Sequence, residues 1–118
     1  MLKIPNLIIL GHSNCGGVEY SYKTLLDKKN INDFEYINQW TSCLKNSYNN
    51  IPNNLPETEK ITFFEQENIK QSIKNLREYD FIDKSINENK LNVVGLWYQI
   101  NSGLIKFLDN NNSFIDLG

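Results

Sequence analysis

Histidine is nearly absent from this chain: His12 is the only one among 118 residues, beside two cysteines and three prolines. Any imidazole chemistry therefore rests on one residue. Cys15 and Cys43 could pair, but Met1-Leu2-Lys3 followed by Pro5 lacks the layout of a secretory leader, so reduced thiols and a cytoplasmic setting are expected. Excess positive charge is also missing: 12 basic residues face 14 acidic ones and the isoelectric point is near 5.3. That balance leaves no electrostatic footprint for nucleic acid or an anionic membrane. No apolar run approaches the roughly 20 residues that cross a bilayer. There is no internal repeat and no linker, and the length fits a single domain spanning residues 1–118. A hydrophobic content of 40% with 22% charged residues is that of an ordinary globular chain.

The apolar run Asn6 to Leu10 lies between Pro5 and Gly11, a pattern expected of a strand buried on both faces in a parallel sheet. Helical spacing follows at Val18, Tyr22, Leu25 and Leu26. It recurs at Phe34, Ile37, Trp40, Leu44 and Tyr48, with Asp33 placed to cap. Asn49 to Glu59, with Pro52 and Pro56, reads as loop. Thr62 to Tyr79 reads as a helix with Ile69, Ile73 and Leu76 on one side, and a short helix carries Phe81, Ile82 and Ile86. Leu91 to Tyr98 is a second buried strand. Asn101-Ser102-Gly103 turns into a third, Leu104 to Leu108, and Asn110 to Asn112 breaks before a short tail. Trp40, Trp97 and Tyr98 are expected in the core, and the charges of Lys60 to Glu88 on a solvated helix face. The order of elements argues an α/β domain.

One stretch proposes a chemistry. Gly11-His12-Ser13-Asn14-Cys15-Gly16-Gly17 follows the first strand and offers an imidazole and a thiol three residues apart. A soft metal such as zinc takes that pair of donors. Taken alone, the pair could equally be a turn histidine beside a small buried thiol, or a Cys–His nucleophilic dyad without a marked third group. A phosphate loop fits worse, since the Gly-Lys-Ser/Thr ending is missing. Cys43 could be imagined as a further ligand, but its ordinary role is that of a small buried hydrophobe.

Four blocks together resemble the β-class carbonic anhydrases. GHSNCGGV resembles that family's His-x-x-Cys zinc motif at the end of a parallel strand. Phe34 to Trp40 is similar to its Ile-x-x-Trp helix, and Glu67 to Ile73 to the segment before its last strands. Val94 to Ile105 resembles its Gly-x-x-Tyr-x-Ile-x-x-Gly-x-Val hairpin. The resemblance implies an α/β remnant of the family's parallel sheet, with flanking helices and a C-terminal antiparallel hairpin. The Leu7 and Val93 strands would be parallel, with Leu104 to Leu108 antiparallel at an edge. It further implies a zinc lyase acting on carbon dioxide and bicarbonate. His12 and Cys15 would be metal ligands, and the backbone of Gly16 and Gly17 would approach the substrate oxygen.

The blocks cover the later part of the family's fold, so the chain is expected to be its C-terminal portion. The earlier Cys-x-Asp-Ser-Arg motif, source of a third ligand and an Asp–Arg pair, has no counterpart here: only six residues precede Leu7, and Cys43 is followed by Leu44-Lys45-Asn46. Two expectations follow: a zinc-dependent carbonic anhydrase that works as a homo-oligomer or with a complementing chain, or an inactive scaffold that keeps the fold.

Overall fold

A computed structural model describes residues 4–27 and 43–117. The segment Phe34 to Trp40, with the Asp33 cap, lies outside the described residues. A four-stranded sheet in the order β1-β2-β3-β4 carries the site. Its strands are β1 (Asn6–His12), β2 (Asn92–Gln99), β3 (Leu104–Leu108) and β4 (Phe114–Asp116). β1 and β2 run parallel, with Leu7 opposite Val93 and His12 opposite Tyr98. β2 and β3 form an antiparallel hairpin whose turn needs the positive φ of Gly103 (73°). The expected α/β class and strand directions hold. The tail beyond Asn112 is one strand more than the sequence reading gives: Phe114–Asp116 pairs antiparallel with β3. The edge on the hairpin side is therefore β4, and β3 is internal. A turn around Asp109, whose carboxylate accepts the backbone N–H groups of Asn111 and Ser113 (both 2.9 Å), folds the tail back.

The helices are α1 (Gly16–Asp27), α2 (Lys45–Asn49), α3 (Glu57–Leu76) and α4 (Asp80–Asn87). α3 starts earlier than the hydrophobic spacing suggests. Pro56 precedes it, Glu57 and Glu59 lie in its first turn, and the carbonyl of Pro56 accepts Lys60 N–H at 3.0 Å. α3 crosses β1 and β2, and α1 and α2 pack on α3, so these three helices make one layer on one sheet face. Val18, Tyr22, Leu44 and Phe64 form the core of that layer. Tyr22, Tyr48 and Phe64 add a cluster of tilted and edge-on rings with centroids 6.0–6.3 Å apart.

The opposite face departs from expectation. Strand alternation puts Leu7, Ile9 and Gly11 toward α3 and Ile8 and Leu10 away from it. Ile8 is 57% exposed and Leu10 61%, so β1 is not buried on both faces. Among the described residues it is an edge strand with one exposed apolar side. Tyr98 belongs to that side and is exposed, whereas its neighbour Trp97 is buried as expected. Cys43 is exposed too, which removes it from the core.

Candidate metal-binding turn

The C-terminal end of a parallel strand, where the chain leaves the sheet for a helix, is where open α/β sheets hold their ligands. Here β1 ends at His12 and α1 begins at Gly16, with Ser13, Asn14 and Cys15 making the turn. Ser13 ties that turn to β2 from both of its polar groups. Its N–H donates to the carbonyl of Tyr98 (2.8 Å), and its Oγ accepts Ile100 N–H (2.9 Å). The reversal itself falls on Asn14, which adopts the left-handed conformation at φ 55°. Asparagine tolerates that region better than most residues. Gly11 takes no part in the reversal: it lies inside β1 against Ile69.

The imidazole of His12 is fixed by its own turn. Nδ1 lies 2.8 Å from the carbonyl oxygen of Ser13. A carbonyl only accepts, so neutral His12 carries its proton on Nδ1 and keeps the lone pair on Nε2. Metal-bound histidines characteristically donate their other N–H in this way. Cys15 is half-buried against the Val18–Phe64 core, and its carbonyl accepts Glu19 N–H at 2.9 Å as the first bond of α1. Gly16 and Gly17 are the first helical residues, whose N–H groups have no acceptor within a helix. A Cβ at Gly16 would meet nothing, so the space beside it is open.

Beneath the turn lies a residue that the sequence pattern assigns to a solvated face. Glu65 is only 4% exposed. Its carboxyl faces the backbone N–H groups of Cys15 and Asn14. Burial pushes its carboxyl above the ordinary range, while those two amides, the Trp97 indole and nearby His12 pull it back. The Trp97 N–H faces the carboxylate but is buried without completing a hydrogen bond of good distance and angle. A signal for Glu65 exists in the sequence: it stands four residues before Ile69 and eight before Ile73, on the apolar stripe of α3. A carboxylate there must be paired if it is to be buried.

His12 and Cys15 are thus held in one turn as donors suited to zinc. Among the described residues no group of three or more His, Cys, Asp or Glu side chains converges as a metal site. Cys43 in particular does not join His12 and Cys15, and these residues fit the metal as part of a donor set.

Comparison with known proteins agrees with the architecture. A family model described as "Carbonic anhydrase" matches residues 1–105. A carbonic anhydrase of Helicobacter pylori is 32% identical over 108 residues, covering 86% of this chain and 48% of the relative. Beta carbonic anhydrase 3 of Arabidopsis thaliana is 26% identical over 106 residues, covering 87% of this chain and 41% of the relative. The chain spans about half the length of the curated relatives it matches. Among solved structures, a tetrameric β-carbonic anhydrase from Sordaria macrospora superposes with a TM-score of 0.72 at 28% identity, covering 90% of this chain and 53% of that one. The β-carbonic anhydrase CcaA, at 22% identity, shares the fold with a TM-score of 0.80 over 96% of this chain and 51% of its own.

Proposed function

The chain belongs to the carbonic anhydrase family, and from that premise we propose that it serves the reversible hydration of carbon dioxide to bicarbonate as a zinc-dependent lyase. The observation that carries this reading is the Nδ1–Ser13 carbonyl contact, which leaves the lone pair of His12 on Nε2, three residues before Cys15 at the end of a parallel strand. His12 through Nε2 and Cys15 as thiolate would hold the zinc. When bound, zinc is a Lewis acid that makes hydroxide available from water near neutral pH.

The chain's own groups account for the rest of its part. The contacts of Ser13 to Tyr98 and Ile100 hold both donors to the sheet end. The first-turn N–H groups of Gly16 and Gly17 are donors for a bicarbonate oxygen at the N-terminus of α1. A third metal donor, and the groups that orient solvent, come from outside the described residues. The uncovered face of Ile8, Leu10 and Tyr98 supports association with a second chain, and His12 has the same strand parity as Ile8 and Leu10. Carbon dioxide hydration by the zinc-loaded protein, followed with a pH indicator in rapid mixing, tests the reading against the His12→Ala variant. Hydration above the buffer rate that His12→Ala abolishes supports it.

One observation favours a second reading, a scaffold without catalysis: no group of three or more His, Cys, Asp or Glu side chains converges among the described residues. That scaffold would show no zinc-dependent hydration at any protein concentration.

A further inference from the structure

Backbone hydrogen bonds between β1 and β2 follow the evenly spaced pattern of a parallel ladder. The N–H of Asn92 donates to the carbonyl of Pro5 at one end, and that of Ser13 to the carbonyl of Tyr98 at the other (both 2.8 Å). With His12 opposite Tyr98, the next rung would run from Ile100 N–H to the carbonyl of Ser13. The protein makes a different bond there: Ile100 N–H donates to the Ser13 hydroxyl oxygen at 2.9 Å. The carbonyl of Ser13, released from the ladder, lies 2.8 Å from His12 Nδ1 instead. One serine thus ends the ladder with its side chain and turns its backbone oxygen to the imidazole. The partner side is braced. Ile100 follows the last residue of β2 in the hairpin turn. Gly103 N–H closes that turn onto the Gln99 carbonyl (2.9 Å), and the Ser102 hydroxyl donates to Gln99 Oε1 (2.7 Å).

We infer that Ser13 is a positioning residue for His12: by accepting Ile100 N–H on its hydroxyl, it keeps its carbonyl for the Nδ1 proton and so keeps the Nε2 lone pair for a metal. Which ring nitrogen of a neutral histidine carries the proton is set by the hydrogen bond that the ring makes. Without the hydroxyl, the ladder extends by one rung, and Ile100 N–H draws the Ser13 carbonyl toward β2, away from the imidazole. The inference deepens the zinc reading above and rests on it only for the identity of the ligand.

The test begins with the metal-free chain and compares wild type, Ser13→Ala and Ser13→Thr, the last of which keeps a hydroxyl. In long-range nitrogen–proton NMR spectra, at a pH where the imidazole is neutral, wild-type His12 should carry its proton on Nδ1. In Ser13→Ala the proton should shift toward Nε2 and the Ile100 amide should move, while the amides of Ile8 and Val94 stay in place. Competition with a chromophoric chelator should then show zinc affinity lowered about 10- to 100-fold in Ser13→Ala, the range for groups that orient metal ligands. Ser13→Thr should restore the tautomer and most of the affinity. A serine that only supported the fold would change stability without moving the proton. Should Ser13→Ala fail to fold, the wild type decides alone: a proton on Nδ1 supports the inference and a proton on Nε2 overturns it. An unchanged tautomer in a folded Ser13→Ala overturns it as well, as does unchanged zinc affinity where His12→Ala loses zinc. If the wild type binds no zinc while the tautomer responds, the positioning of His12 stands and the zinc reading alone fails.

Discussion

Ile69 lies so close to Gly11 that a Cβ at that glycine would come within 2.6 Å of Ile69 Cδ1 and 2.8 Å of its Cγ1. The same isoleucine limits Gly95 on the paired strand, where a Cβ would stand 3.0 Å from Cγ2. Two missing side chains on adjacent strands thus make the slot by which α3 seats on the sheet. Ile69 is 2% exposed and has little room to yield. Gly11→Ala should therefore cost about 1–3 kcal/mol by overpacking, and Ile69→Ala about 2–5 kcal/mol. The double variant should lose distinctly less than their sum, because each change relieves the other. Urea unfolding of the four proteins measures the coupling. Additivity within about 0.5 kcal/mol would mean that the two residues do not share this space.

The Tyr22 hydroxyl donates to Glu57 Oε2 at 2.5 Å, joining α1 to the first turn of α3. Burial first, and then Glu57, pushes the Tyr22 phenol up to about 12. The unfolded phenol ionises near 10, so the folded state holds its proton more tightly. Stability should be intact below pH 10 and fall between 10 and about 12. On the acid side, the hydrogen bond from Tyr22 and then that from Lys60 hold the Glu57 carboxyl below its ordinary value. That contribution is present above about pH 4.5 and lost as pH falls through the folded value. Tyr22→Phe should cost about 0.5–1.5 kcal/mol at pH 7 and flatten the alkaline limb. Urea midpoints at several pH values check both, and an alkaline limb as steep in Tyr22→Phe as in wild type would refute the assignment.

Ile8 and Leu10 project from the side of β1 opposite α3, and more than half of each is exposed. Replacing both with threonine keeps strand preference and removes apolar surface. The pair should leave the helical spectrum and unfolding midpoint nearly unchanged, while shifting the sedimentation profile toward smaller species at equal concentration. An identical profile would show that this face does not mediate association.

How much of this was legible in advance depends on which residues are asked. The Leu7 and Val93 strands and the hairpin at Gly103 follow from apolar runs and turn residues acting locally, whereas the parallel pairing of those strands came from the family resemblance. The exposure of Ile8, Leu10 and Tyr98 does not, because an apolar run shows that a strand can be buried but not what covers it. β4 escaped because three residues, Phe114–Asp116, are too short for an alternation to be visible. The role of Gly11 is to leave space for Ile69, a contact set 58 residues away that no local pattern shows. Of the candidate site, His12 and Cys15 stood out by residue type, but their reading as ligands came from the family resemblance, because spacing alone left a turn histidine beside a small buried thiol equally open. Glu65 was masked by the charges around it, although its place on the apolar stripe of α3 marks it.

Zinc content after chelator washing and reloading, measured in the wild type and in His12→Ala, Cys15→Ser and Cys43→Ser, tests the central claim most directly. The account predicts about one zinc per chain in the wild type and in Cys43→Ser, since Cys43 is exposed and forms no three-donor group with His12 and Cys15. It predicts loss of zinc in both His12→Ala and Cys15→Ser. A wild type that retains no zinc, or zinc that survives removal of either His12 or Cys15, would contradict it.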